Sequence, residues 1–483
     1  MQQPDSSEPP IRSDARLGVV ILAAGQGTRM RARLSKLAHP VAGWPMVRHV
    51  VEVVRSLDPV VTALVVGHEA EAVAQAAGPG LEIVHQAEQL GTGHAVLQAR
   101  EALRGRCDLV AVVYADSPLL RAETLTRMIE ATGDATQVLL TFIRGRSPLH
   151  DGVTAGFGRI DRDADGRIVG ILELPESERY HQIQEVNSGV MAFRADWLWE
   201  AIGRLTPSSN GELFLTDLVE AAVRDGQRVV AVQPDDPDEV LGVNTQAQLA
   251  TVNRIAMDRI RARLLDSGVR MLDPGSVYLD AGVSVEPDVM LQPNTHLRGE
   301  TTIGRGSEIG PNSIVEDSRV GERCRVVASV LEQAWVGNDV TIGPFAHLRP
   351  GARIEDEVEL GNYAEVKAST IGTRTRIHHV SYVGDATLGA DTNVGAGTIT
   401  CNYDGVAKHR TVVGEGVFIG SDTMLIAPVT LGDGARTGAG SVVNRDVPAG
   451  EVVVGVPARP IAARRRSVPP AKANGDGAKP AQS

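Results

Sequence analysis

The stretch VGEGVFIGSDTMLIAPVTLGDGARTGAGSVV, residues 413–443, places Val413, Ile419, Leu425, Leu431, Thr437 and Val443 six residues apart. A period of six fits neither the 3.6 of a helix nor the 2 of an alternating hairpin. It is the period of a parallel β-helix, in which each hexad makes one short strand and a corner, and stacked coils bury a continuous aliphatic interior. Working outward, the same aliphatic–glycine pair recurs at Ile303-Gly304, Ile309-Gly310, Val336-Gly337, Ile342-Gly343, Leu388-Gly389 and Val394-Gly395. Steps of five, from Val315 to Val320 and from Val383 to Leu388, predict trimmed corners. The polar, basic run CNYDGVAKHRT, within residues 400–411, breaks the repeat and predicts a loop thrown out from the solenoid.

Upstream of about residue 268 the pattern changes. Apolar runs at 19–22, 60–66, 109–114, 138–143 and 229–232 are bounded by Gly, Asp or Pro and read as buried strands. Stretches 46–57 and 92–103 carry apolar residues on one helical face. Strand–helix alternation predicts a mostly parallel sheet covered by helices, with ligands beyond the carboxyl ends of the strands. Leu249, Val252, Ile255, Ala256, Ile260 and Leu264 then predict a connecting helix closed by Gly268. The expected organisation is a tail at 1–16, an α/β domain at 17–248, a linker helix at 249–268, a β-helix at 269–463 and a second tail at 464–483.

A chain of 483 residues exceeds one ordinary core, and 42% hydrophobic with 22% charged residues is a globular composition. The formal net charge of −12 argues against a nucleic-acid binder, so any phosphate site must be built from local cations and backbone N–H groups. Cys107, Cys324 and Cys401 are too far apart for a zinc or disulfide framework, and no apolar run is long enough to span a bilayer. A cytoplasmic protein is the expectation.

LAAGQGTRM at residues 22–30 follows the first strand, with Lys36 just beyond; its glycines allow close approach of backbone to phosphate, and Arg29 and Lys36 add positive charge. The Gly-Lys-Ser/Thr ending of a phosphate loop is missing, and Val96 stands where a dinucleotide fingerprint needs its third glycine. LAAGQGTRM with Lys36 resembles the signature loop of the sugar-1-phosphate nucleotidyltransferases. Further markers follow in order: QAEQLGTGHA from Gln86, YADSPLL from Tyr114, GFGRI from Gly156, GILE ending at Glu173, EVNSG around Asn187, GELFLTD from Gly211 and GVN ending at Asn244. The set resembles the family of bifunctional N-acetylglucosamine-1-phosphate uridylyltransferase/glucosamine-1-phosphate acetyltransferases over residues 17 to about 460.

That resemblance implies an α/β Rossmann-like nucleotidyltransferase domain, a connecting helix, and a left-handed parallel β-helix of hexapeptide repeats. It implies that Asp116 and Asn244 hold Mg²⁺, and that Arg29 and Lys36 steady the polyphosphate of UTP. By the same resemblance Leu22, Ala23, Ala24, Gly25, Gln86, Gly91, Thr92, Tyr114 and Ala115 serve the nucleotide, and Gly158, Glu173 and Asn187 the sugar. Ser35 stands where many relatives carry proline.

In the back half, IGPFAHLRPG carries Arg349, GNYAEVKAST carries Lys367, HHVSYVGDA carries His379 and Tyr382, and DTNVGAGTITCNYDG carries Asn393, Asn402 and Tyr403. The run resembles the family's acetyltransferase site. Acetyl transfer from acetyl-CoA to an amine needs that amine neutral, and imidazole is the side chain that takes up a proton near neutral pH. The resemblance makes His379 the base, and Arg349 and Lys367 cations for the phosphate of glucosamine-1-phosphate. Tyr382, Asn393, Asn402, Tyr403 and Arg410 become polar contacts, and Ala396, Ser421 and Ala439 the lining of the acetyl-CoA channel. Val456 stands where the family has a basic residue, leaving Arg459 or Arg464–Arg466 for the coenzyme's phosphates. Relatives place three such helices side by side, which implies a homotrimer with its acetyltransferase sites between subunits. Two other readings remain: a monofunctional sugar-nucleotide pyrophosphorylase with a structural β-helix, disfavoured by His379 and its cations, and a scaffold with an inactive front domain, disfavoured by Lys36, Asp116 and Asn244 together.

Overall fold

The computed structural model describes residues 15–147, 149, 157–173, 178–208 and 211–461. Residues 1–14 and the predicted tail 464–483, with Arg464–Arg466, lie outside the described residues. The predicted first tail ends sooner than expected: the Arg16 N–H donates to Asp108 (2.9 Å), its guanidinium pairs with the same carboxylate, and its carbonyl accepts from the Asp108 N–H. The chain divides into two compact units, residues 1–263 with 279–282, and residues 264–278 with 283–483.

The first unit is built on a sheet ordered Val229–Val232, Gln137–Ile143, Glu185–Arg194, Leu109–Tyr114, Leu17–Ala23, Val61–Val66, Glu82–His85. Only Glu185–Arg194 runs antiparallel to its neighbours in this order. After Leu17–Ala23 the chain builds outward on one side, then crosses to Leu109–Tyr114 on the other, so the strand order reverses there and opens a crevice at the carboxyl ends. Leu17–Ala23 is buried along its whole length, and Val96, Leu103, Phe193 and Trp199 join the core over the sheet. The predicted helix 46–57 runs Met46–Arg55. The stretch 92–103 is two helices, Thr92–Gln98 and Arg100–Leu103, joined at Ala99.

The helix expected from Leu249 begins earlier, spanning Gln246–Asp266. Its start is set by side chains that the apolar spacing does not register. Thr245 Oγ1 accepts from the Gln248 N–H (3.3 Å), and the Gln248 carboxamide accepts from the Asn244 N–H (2.7 Å). Among the described residues no helix is long and apolar enough to cross a membrane.

The second unit is a parallel β-helix with three flat faces. Partners on one face run Ser284, Thr302, Arg319 and Trp335, successive coils being 18, 17 and 16 residues apart. Eighteen is three hexads, and the shorter coils are the trimmed ones. Inside, Leu291, Ile309, Val326, Ile342, Leu360, Ile377 and Val394 stack in register and are all buried. Each such side chain contributes about 1.5–3 kcal/mol on leaving water. The terminal pairing of Val452–Val454 with Arg459–Pro460 is antiparallel and closes the last edge.

The glycines after the aliphatic residues answer to coil stacking. A Cβ on Gly389 would lie 2.5 Å from the Gly414 carbonyl carbon in the next coil. Gly389→Ala is therefore expected to destabilise the solenoid by about 1–3 kcal/mol, read as a lower midpoint of chemical unfolding. Gly203→Ala, whose Cβ would meet nothing within 4 Å, is expected to leave the midpoint unchanged. Equal midpoints for the two variants would refute the stacking argument.

The predicted loop is shorter than residues 400–411. Thr400 and Thr411 are buried at 2% and 0% exposure inside coils, their strands being Ile399–Cys401 and Thr411–Val413. Threonine fits because the Thr400 hydroxyl accepts from the Gly384 N–H (2.7 Å), satisfying its polar atom within the wall. The excursion is residues 402–410, and it lengthens its coil to the 25 residues from Ala386 to Thr411.

Candidate functional sites

In the first unit the site lies at the strand-order reversal. Gly27 has φ +63°, and a Cβ there would lie 2.6 Å from Lys36 Cβ, so only glycine lets the loop after Leu17–Ala23 close over Lys36. The Ala115 N–H donates to Leu22 (3.0 Å), and the Asp116 carbonyl accepts from the Val243 N–H (2.9 Å), which brings the 242–244 segment to the end of Leu109–Tyr114. Side chains more than 200 residues apart in sequence thereby meet. Lys36 Nζ donates to Asp116 Oδ2 (2.6 Å) and Asn244 Oδ1 (2.8 Å), and Arg29 donates to the same Asn244 oxygen (2.9 Å).

Two hard oxygen donors on one cationic nitrogen fit a divalent cation such as Mg²⁺, which keeps waters and takes its remaining ligands from phosphate. Among the described residues no cluster of three His, Cys, Asp or Glu side chains forms a metal cage. Leu22, Ala23, Ala24, Gly25, Lys36, Gln86, Gly91, Thr92, Tyr114 and Asp116 share the wall of one cleft of about 300 Å³. Ala115 is fully buried behind it. Burial pushes the Tyr114 hydroxyl well above the usual tyrosine range, with the Asp116 charge adding to this, so it stays a neutral phenol. Thr92 accepts from the Leu215 N–H (3.0 Å), and Gly93 donates to Leu213 (2.8 Å), joining the 86–95 and 211–217 segments.

Gly158, Glu173 and Asn187 form a second group. The Asn187 N–H donates to the Gly158 carbonyl (2.9 Å), and a Cβ on Gly158 would lie 3.6 Å from Glu173 Oε1. The strand register shifts between Asn187 and Met191, re-aiming the residues between them. Gln89 and Glu212 also line the cleft and were not singled out by residue. Their signal was positional, since both sit inside motifs quoted above.

On the β-helix, Arg349 donates to Glu365 (2.9 Å), and Glu365 pairs in register with Tyr382 in the next coil. The Lys408 ammonium beside Lys367 pushes that lysine below the usual range, Arg349 adding to the effect and Asp385 opposing it. Three mutually repelling cations on one surface are relieved by an anion such as a phosphate. Asn402 reaches Tyr382 Oη (3.5 Å) and Asp385 Oδ2 (2.5 Å), tying the foot of the loop to the same face. The loop holds its own shape: Asp404 accepts from Val406, Ala407 and His409, and Tyr403 donates to Gly405. Those bonds keep Asp404 far below the usual carboxylate range.

His379 is exposed and pairs in register with Asn362. The pairings Arg376 with Asn393 and Asn393 with Phe418 put Ala396 in register with His379 and Ser421 in register with Ala396. The Ser421 carbonyl accepts from the Gly440 N–H, next to Ala439. His379 and the three small residues thus share one corner of successive coils. Two named residues are not brought to the Lys367 group. Arg410 donates to Thr387 (2.9 Å) on the face that carries Thr302 and Arg319, and Asn393 lies on another face, between Arg376 and Phe418. Lys408, Glu365 and Asp385 complete the group, and the 16–18-residue coil spacing is the signal that finds the last two. Val456 is 72% exposed, and Arg459 lies in the terminal pairing.

A family model described as a MobA-like NTP transferase domain matches residues 19–167, and one described as bacterial transferase hexapeptide (six repeats) matches 333–368 and 410–445. The chain is 43% identical over 447 residues to a protein of Pelobacter propionicus named bifunctional protein GlmU, covering 91% of this chain and 95% of that one. It is 45% identical over 443 residues to the protein of the same name from Stutzerimonas stutzeri, covering 91% and 96%. The Streptomyces avermitilis protein of that name is 43% identical over 443 residues, covering 90% and 91%.

Proposed function

Since the chain belongs to the family of bifunctional GlmU proteins, we infer that it performs two group transfers in sequence on one sugar phosphate. Acetyl-CoA acetylates glucosamine-1-phosphate at the β-helix. The N-acetylglucosamine-1-phosphate formed then reacts with UTP in the cleft of the first unit, giving UDP-N-acetylglucosamine and pyrophosphate. The observation that carries the reading is the meeting of Lys36, Asp116 and Asn244 on one point in that cleft.

In the second reaction a phosphate oxygen of the sugar attacks the α-phosphorus of UTP; the new P–O bond forms as the bond to pyrophosphate breaks. The nucleophile is already anionic, so no general base is needed, and positioning with charge neutralisation supplies the catalysis. Asp116 and Asn244 would hold Mg²⁺, which when bound would supply positive charge to the phosphates. Lys36 and Arg29 steady the chain of phosphates, and Tyr114, kept neutral, offers a hydrogen bond without adding charge. Gly158, Glu173 and Asn187 hold the sugar. In the first reaction the amine attacks the thioester carbonyl, the C–N bond forms, the C–S bond breaks, and His379 takes the amine proton. Arg349, Lys367 and Lys408 hold the sugar phosphate, while Ala396, Ser421 and Ala439 leave room along their corner for the coenzyme's arm. The test is pyrophosphate release from UTP with N-acetylglucosamine-1-phosphate, beside coenzyme A release with glucosamine-1-phosphate. Both activities are expected in one preparation.

The face carrying Lys367 and Tyr382 supports the homotrimer. Its outward column carries Ile314, Val330, Ile399, Met424 and Val442 together with His347, Glu365 and Tyr382, whereas another face turns out Glu308, Arg325, Thr341, Glu359 and Arg376 with Met290 and Phe418. Phe345, Tyr363 and Val380, each at least 55% exposed, stand at the corner beside His379. Val380 is β-branched at φ +38°, a strained backbone that neighbouring structure must hold. Light scattering is expected to give three times the chain mass, and a monomeric mass would sink the assembly. We place the protein in the cytoplasm, a reading supported by three free cysteines, two of them buried.

A further inference from the structure

The geometry points to His94 as a positioning residue for base selection, an inference that rests on reading the first unit's cleft as the nucleotide site. Gln86 is 5% exposed, and its backbone N–H donates to Val66 (2.9 Å), so its side chain enters the cleft wall from the end of the strand Glu82–His85. Its carboxamide nitrogen lies 3.1 Å from the Gly91 carbonyl oxygen and 3.0 Å from His94 Nδ1. A carbonyl oxygen only accepts, so the end of the amide facing Gly91 is the nitrogen. That nitrogen has two hydrogens: Gly91 takes one and His94 Nδ1 the other. His94 Nδ1 is then the bare nitrogen of a neutral ring. The ring hydrogen sits on Nε2, facing the Gln98 carboxamide 2.9 Å away, which accepts it through its oxygen after rotation.

With both amide hydrogens engaged inside the protein, the group Gln86 can offer a ligand is its carbonyl oxygen, an acceptor of fixed direction. Uracil presents an N3–H donor on its pairing edge, whereas cytosine presents an N3 lone pair there. A carboxamide free to turn over would serve either base. One pinned at two points serves the donor and sets oxygen against the lone pair of the other, and a buried mismatch of this kind discriminates strongly. His94 thereby makes the cleft select UTP over CTP without touching the nucleotide.

The experiment compares pyrophosphate release from UTP and CTP, with Mg²⁺ and N-acetylglucosamine-1-phosphate, in the full chain and its His94→Phe, His94→Gln, Gln98→Leu and Gln86→Ala variants. His94→Phe is expected to lower the UTP/CTP ratio of kcat/KM by about tenfold or more. The change should come through KM, chiefly a lower KM for CTP, with kcat and the KM for the sugar phosphate moving by about twofold at most. His94→Gln, whose oxygen can accept in place of Nδ1, should recover part of the ratio. An unchanged ratio in His94→Phe, with a reduced ratio in Gln86→Ala, overturns the role of His94 and leaves the nucleotide site standing. An unchanged ratio in both overturns the placement of the base as well. Acetyl transfer by the same preparations reports on folding. If His94→Phe does not fold, Gln98→Leu decides: a smaller drop in the ratio supports the inference, and no drop overturns it.

Discussion

Asp116→Ala is expected to lower uridylyl transfer on the order of a thousandfold or more, the scale of single preorganised electrostatic groups, while acetyl transfer stays near wild type. Asp116 is the one carboxylate at the meeting point, bonded to Lys36 Nζ at 2.6 Å, with the Asn244 amide oxygen as the other donor. Removing it leaves the site cationic, without the charged oxygen that would hold Mg²⁺ in place. The backbone frame should persist, because Asp116 reaches Val243 through its carbonyl, which alanine keeps. The loss should therefore fall on kcat with little change in stability. Asp116→Asn separates charge from shape: if charge matters, it behaves like alanine. Substantial pyrophosphate release by either variant would remove Asp116 from the mechanism.

His379→Ala is expected to lower acetyl transfer by roughly two to four orders of magnitude, the range of a positioned general base. Uridylylation of supplied N-acetylglucosamine-1-phosphate should survive, since the uridylylation cleft is built wholly from residues of the first unit. His379 is exposed on a coil corner, so truncating it opens no cavity, and the unfolding midpoint should hold. Raising the pH should recover part of the rate in the variant, because more of the substrate amine is then already neutral. A pH profile parallel to wild type would deny His379 the proton. Loss of both activities together would show misfolding.

The two halves were legible in the sequence to different depths, for a physical reason. A β-helix repeats its contacts every coil, so a six-residue period states both the strand and its neighbour. Val413, Ile419 and Leu425 are buried as their spacing requires. Five strands of the α/β unit were legible as apolar runs, because burial leaves little room for polar residues; Glu82–His85 and Glu185–Arg194, which carry polar residues, were not. Where a local side chain sets an end, periodicity is silent: Thr245 starts its helix ahead of Leu249, and a hydroxyl that bonds within the wall lets Thr400 stay inside a coil.

By itself the sequence determined the division into an α/β half and a solenoid and the stacking positions of the solenoid, and it named the residues proposed to carry chemistry. Only the tertiary structure decided which of those residues meet. Lys36, Asp116 and Asn244 converge because parallel strands end at one edge of the sheet and a backbone bond from Val243 to Asp116 draws in a distant segment. Lys408 stands at Lys367, whereas Arg410, two residues on, holds Thr387 on another face. The separation follows from the loop's internal bonds and the coil it rejoins, contacts that neither composition nor period encodes.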